Sequence, residues 1–294
     1  MPQYPTFIQA IALLLLIVLL QVMMAIPLGI WGLATGSNFT DNPLTIALVN
    51  LISIGLVLLF GLKHTRSSFQ EVFRLAPIRP PLLLPMALTV IGMTIFLSEF
   101  DNRLRTVLPV PSWLIEILQN LFGSREKILA SFFTLVVAAP LTEEFLFRGL
   151  ILRGFLSNYS VRKAILTSAL LFGIFHLNPW QFTGAFVLGA IFAWWFIKTR
   201  SLLPCLFGHA LNNGLPIILL AFPQLQIPGY SSELTDQIVF QPLWFNLLGL
   251  TLAGLGFWLL TREFAELDAS RSNEIQITQT PNFSSDNGQT ETQL

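Results

Sequence analysis

Apolar windows at about 7–33, 43–62, 80–99, 203–222 and 241–261 constrain this chain more than any other feature. Each is near the ~20 residues with which an α-helix crosses the hydrocarbon core of a bilayer. At that depth every backbone N–H and C=O must be satisfied within its own segment, so each window is expected to be a helix. Two further stretches extend the pattern. Residues 128–155 read as one long helix that gains charge only late, and no Asp, Glu, Lys or Arg occurs between Lys163 and Lys198. That second stretch is too long for one span. Asn178-Pro179 divides it into helices at about 163–177 and 181–197, because proline lacks an N–H and disfavours helical geometry just before it. The expected fold is an all-α membrane protein, a bundle of about eight transmembrane helices around an intramembrane polar cavity.

Composition supports this class. Only 11% of the 294 residues are charged and 53% are hydrophobic, against roughly 25% charged in soluble domains. The formal net charge of 0 provides no field for nucleic acid, so the expected contacts are membrane lipids and a membrane-associated peptide or protein. Cys205 is the only cysteine, which excludes an internal disulfide and a multi-cysteine metal site. The stretch from Thr6 to Leu33 lacks a basic leader and exceeds a signal core of ~7–15 residues, so it reads as an uncleaved first span.

Charge placement orients the bundle. Arg103, Arg105, Arg125 and Lys127 fall on one side and the other twelve of the 16 Lys and Arg on the opposite side. The positive-inside rule then places both termini in the cytoplasm, with the plasma membrane as the expected host. Residues 1–126 are read as three spans and an outer loop, with an interfacial helix near Trp113. Residues 127–222 form the polar core, 223–261 an outer loop and the last span, and 262–294 a disordered polar cytoplasmic tail.

Strongly polar residues at helix depth are few: Glu143, Glu144, Arg148, His176, His209, Asn212 and Asn213. Ionised groups there cost at least ~2.5–3.5 kcal/mol each, so their presence calls for pairing or function. At ~1.5 Å of rise per residue, Glu143 lies ~15 Å from the cytoplasmic end of its helix, His176 ~20 Å and His209 ~13 Å. Similar depths on three helices point to one site. Glu144 and Arg148 are i and i+4 and can pair, while Glu143, rotated by ~100°, faces elsewhere. His209 and Asn213 also share a face, and Phe172, one turn before His176, walls the pocket. Asn212 is read as structural and Cys205 as a packing residue.

Two chemistries suit this set. Glu143 can act as general base on a water while the histidines and Asn213 polarise a carbonyl. Alternatively Glu143, His176, His209 and Asn213 can hold a divalent metal such as zinc. Either route ends in hydrolysis. No His-Glu-x-x-His, Gly-x-Ser-Gly or Gly-x-Gly-Asp occurs, which excludes those zinc, serine and aspartyl patterns.

The ordered motifs Glu143-Glu144-x-x-x-Arg148, Phe172-x-x-x-His176 and His209-x-x-x-Asn213 resemble the CPBP family of intramembrane proteases: CAAX prenyl protease type II, bacteriocin-processing and abortive-infection proteins. The resemblance covers roughly 127–222. It implies an eight-helix bundle with a cavity open to the cytoplasm, and hydrolysis of a peptide bond in a CAAX-like or bacteriocin-like substrate. It further implies Glu143 as base, His176, His209 and Asn213 around the water and carbonyl, and Glu144 with Arg148 in support, with or without a metal. The alternative is a non-catalytic adaptor or bacteriocin-immunity protein on the same fold. A proton-coupled transporter is disfavoured because no internal repeat is present.

Overall fold

In the computed structural model, residues 3–37, 42–122, 127–225, 227–230 and 237–279 are described, and no strand occurs among them. Helix α1 runs over Phe7–Thr35, α2 over Pro43–Thr65, the single turn α3 over Phe69–Val72 and α4 over Pro80–Val107. A short helix α5, Ser112–Phe122, precedes the long α6, Ile128–Asn158. Then come α7, Val161–Phe175, α8, Pro179–Thr199, α9, Leu203–Ala221, and α10, Leu243–Gln279.

Local chemistry sets these boundaries. Asn42 and Asn178 precede Pro43 and Pro179, and each asparagine oxygen accepts the backbone N–H two residues on, from Leu44 at 2.9 Å and Trp180 at 3.1 Å. Proline at the first helical position forfeits an N–H that would lack an intrahelical partner anyway. Gly36, at a φ of 70°, closes α1 in the left-handed region that glycine adopts without penalty. In α3, Ser68 and Glu71 cap each other's backbone, and hydrogen bonds from Ser68 hold the Glu71 carboxyl below its ordinary range.

The all-helical membrane class holds, with a smaller number of full-length spans. Six helices, α1, α2, α4, α6, α8 and α10, are long and apolar enough to cross a bilayer, rather than eight. The other two form at the expected places but are short. Helix α7 has 15 residues, about 22 Å at ~1.5 Å per residue, against a hydrocarbon core of ~30 Å. The apolar part of α9 is Leu203–Leu219.

A second difference concerns the C-terminal region. The expected tail from 262 is helical as far as Gln279, and residues 280–294 lie outside the described residues. Packing and charge explain the continuation. Phe264 is buried, Asp268 pairs with Lys198 at 2.6 Å, and Arg271 donates to the carbonyls of Lys198 and Thr199 at 2.7 and 3.4 Å. These last contacts satisfy carbonyls that the end of α8 leaves open. The segment therefore has tertiary partners that its polar composition conceals.

Helices α4 and α10 pack most closely, and small residues permit it. A Cβ on Gly92 would run into the backbone of Ala253, and one on Gly256 into Thr89 and the Pro85 carbonyl. In lipid such close packing takes the place of the hydrophobic effect between helices. Gly254, by contrast, has nothing within 4 Å of its would-be Cβ. Gly256→Ala should therefore destabilise the protein by about 1–3 kcal/mol through overpacking. Gly254→Ala should stabilise it by roughly 0.5–1 kcal/mol by removing a helical glycine. Thermal unfolding in detergent micelles compares the two.

Candidate active site

The site is built on α6, whose helical geometry is interrupted on both sides of the two glutamates. Residues Ala139–Glu144 are ordinary α-helix, flanked by wider π-helical turns at Phe133–Ala138 and Phe145–Leu152. Such turns are rare and recur at functional sites. The first lies just before Pro140, whose ring would crowd the carbonyl four residues earlier in a regular helix. The second contains Arg148.

Arg148 is almost completely enclosed, with 1% of its side chain exposed, so its charge must be met inside the protein. Its Nη1 donates to Glu144 Oε1 at 2.9 Å and its Nη2 to the Gly189 carbonyl on α8 at 3.1 Å. The guanidinium lies 4.4 Å from the centre of the Phe172 ring and 5.6 Å from that of Phe192. Ring faces attract cations, more strongly where water is excluded. One side chain thereby ties α6 to α7 and α8.

Glu144 Oε1 also accepts from His209 Nδ1 at 2.7 Å, bringing in α9. A carboxylate oxygen can only accept, so Nδ1 carries the hydrogen and Nε2 of a neutral ring presents its lone pair. That Nε2 lies 4.0 Å from Glu143 Oε2, beyond hydrogen-bond range but within the span of one bridging water. Three polar atoms of this group are buried without a partner: Glu143 Oε2, Glu144 Oε2 and Arg148 Nε. Buried groups are normally satisfied, so such a concentration marks a place for water or substrate.

A cavity of about 300 Å³ adjoins the group. Phe172, His176, His209 and Asn213 line it, and Glu143, which does not, approaches it beside His209. The Phe172 ring stands edge-on to both imidazoles, with centroids 5.0 Å from His176 and 5.8 Å from His209. His176 Nδ1 lies 2.8 Å from the Phe172 carbonyl, which accepts its hydrogen and leaves Nε2 free. Asn213 Nδ2 donates to the Leu135 carbonyl at 2.9 Å, and its Oδ1 accepts from Asn212 at 3.0 Å.

Sequence reasoning thus identified residues that meet. Asn212, read as structural, accepts from Thr94 of α4 at 3.0 Å through its Oδ1 and also lines the cavity. The α4 contribution of Thr94, Ser98 and Asp101 was also missed, although their i, i+4, i+7 spacing places polar groups on one face of an apolar helix. Phe192 carried no sequence signal, and nothing in the sequence pointed to the Gly189 carbonyl as a partner of Arg148. Cys205 is buried, its Sγ 3.2 Å from the Phe192 carbonyl, as expected of a packing residue.

The metal expectation concerns Glu143, His176, His209 and Asn213. Among the described residues no three His, Cys, Asp or Glu side chains gather as a metal site. Asn213 Oδ1 accepts from Asn212 and both histidine Nδ1 atoms donate to oxygens, which leaves each histidine Nε2 and Glu143 Oε2 open.

Residues 125–215 match the family model described as type II CAAX prenyl endopeptidase Rce1-like. The resemblance to the CPBP intramembrane proteases is borne out. The Rce1-like family is a protease family, and the matched segment contains all three motifs. No curated protein and no solved structure matches the chain.

The buried Arg148–Glu144 pair has a measurable consequence. Arg148→Met should cost about 3–5 kcal/mol, because Glu144 is left buried without its cation. Adding Glu144→Gln should recover much of the loss, as both charges are then gone. Unfolding midpoints of the single and double variants test this coupling.

Proposed function

We propose that the protein is an intramembrane endopeptidase in which Glu143 activates water directly. The observation that carries this reading is the unpartnered Glu143 Oε2, 4.0 Å from His209 Nε2, itself oriented by Glu144. A water between the two gives one hydrogen to Glu143 and directs the other at the Nε2 lone pair. As Glu143 takes the proton, the water oxygen bonds to the carbonyl carbon of the scissile peptide. The carbonyl oxygen gains the negative charge.

Asn213 Nδ2 uses one hydrogen on the Leu135 carbonyl and has a second for that developing oxyanion. Collapse of the intermediate breaks the C–N bond, and the proton held by Glu143 passes to the leaving amine. His176 Nε2, free in the same cavity, accepts a backbone N–H of the substrate and aligns it. Glu144 keeps His209 in the required tautomer while Arg148 holds the Glu144 carboxylate in place. The substrate is a membrane-associated polypeptide, of which CAAX-like and bacteriocin-like chains are candidates.

Glu143→Gln retains the shape of the side chain and removes the base. Cleavage should fall by about 10²–10⁴-fold, the usual contribution of a positioned acid or base. Mass spectrometry of membrane peptides from cells with the parent protein or the variant measures it. Unchanged cleavage by a folded Glu143→Gln protein would overturn the reading.

A further inference from the structure

The two ends of the bundle can be told apart by contacts. At one end, Leu202 N–H donates to the Arg74 carbonyl at 2.8 Å, Ser201 Oγ to the Ala76 carbonyl at 2.6 Å, and Lys198 pairs with Asp268. The start of α4 and the ends of α8 and α10 meet there. At the other end, Trp180 Nε1 donates to the Leu108 carbonyl at 2.7 Å, and Asn102 Nδ2 to the Gly229 carbonyl at 2.7 Å. The end of α4, the start of α8 and the connection before α10 meet there.

The cavity joins the site to this second end. Its inner wall is closed by Phe172, Phe192 and His209, at 3%, 1% and 5% exposure. Its outer lining is open: Phe100 is 42% exposed and Gln181 is exposed. The mouth therefore lies between the end of α4 and the start of α8.

Charge separates the same two ends. Arg103, Arg105 and Lys127 are the described Lys and Arg at the mouth end, and Arg148 is buried in the site. The other eleven of the 16 follow the opposite end, and Arg125 lies outside the described residues. Arg103 and Arg105 are moreover paired with Glu99 at 2.9 Å and Asp101 at 2.7 Å. A cytoplasmic cavity mouth and the positive-inside orientation cannot both hold for this arrangement.

We propose that the cavity opens on the non-cytoplasmic face and takes the outer juxtamembrane segment of a membrane-anchored polypeptide, not a cytoplasmic lipidated C-terminus. This inference rests on the protease reading for its substrate but not for its geometry. The mouth is suited to such a segment. Thr94, Ser98 and Asp101 make a polar rail along α4 for an extended main chain. Across from it on α8, Gly184 has nothing within 4 Å of its would-be Cβ, which leaves room for a substrate side chain. The Asp101–Arg105 pair gives the rim little net charge.

Labelling with a membrane-impermeant maleimide tests the orientation. Gln181→Cys at the mouth and Ala269→Cys on the exposed end of α10 are compared in intact and permeabilised cells, the parent with its buried Cys205 being the blank. Gln181→Cys should label in intact cells to the level reached after permeabilisation, and Ala269→Cys only after permeabilisation. The opposite pattern would overturn the inference and leave a Glu143-dependent protease intact. Labelling as expected without Glu143-dependent cleavage would instead overturn the protease reading.

Discussion

A guanidinium inside an apolar bundle is the constraint on which the site depends. Arg148 cannot be left in hydrocarbon unpaired, and its fixed fork of donors can be met only by groups from several helices. Glu144, the Gly189 carbonyl and two aromatic faces meet it. Ion pairs of this kind contribute little net stability once desolvation is counted, but breaking one is costly. Their effect is on arrangement: α6, α7, α8 and α9 come together in the one way that satisfies Arg148 and Glu144 jointly.

Orientation of His209 follows from that constraint. Because Glu144 is held by Arg148, it can receive the Nδ1 hydrogen, and the opposite ring nitrogen turns towards Glu143. The adjacent carboxylates therefore have separate environments, one enclosed with its Oε1 shared by two donors, the other with Oε2 facing His209 beside the cavity. The wide turns on either side of Ala139–Glu144 belong to the same arrangement, since they alter the register of the helix around the paired acids. A regular α-helix through Pro140 would meet a steric conflict one turn earlier.

Much of this was legible in the chain because apolar surroundings make each polar residue conspicuous. Glu143, Glu144, Arg148, His176, His209 and Asn213 stood out against lipid-compatible neighbours, and i, i+4 spacing linked Glu144 to Arg148. Asn178-Pro179 marked the break between α7 and α8. Less visible were residues whose part lies in backbone or ring faces, such as the Gly189 carbonyl and Phe192, because glycine and phenylalanine are common throughout the chain. The partner of Asn212 was hidden because helical angle alone does not reveal that Thr94 of α4 approaches from the other side. The polar composition after Arg262 likewise concealed the partners that Asp268 and Arg271 find on α8.

By itself the sequence determined the class, the approximate places of the membrane helices and the polar residues available for chemistry. These follow from local quantities: the length of each apolar run, the proline breaks, and the cost of a charge in lipid. Tertiary structure decided which polar groups meet, which oxygen of which glutamate stays free, and at which end the cavity opens. Those depend on distances between helices far apart in the chain, where a rotation of one helix exchanges one partner for another while its hydrophobicity stays the same.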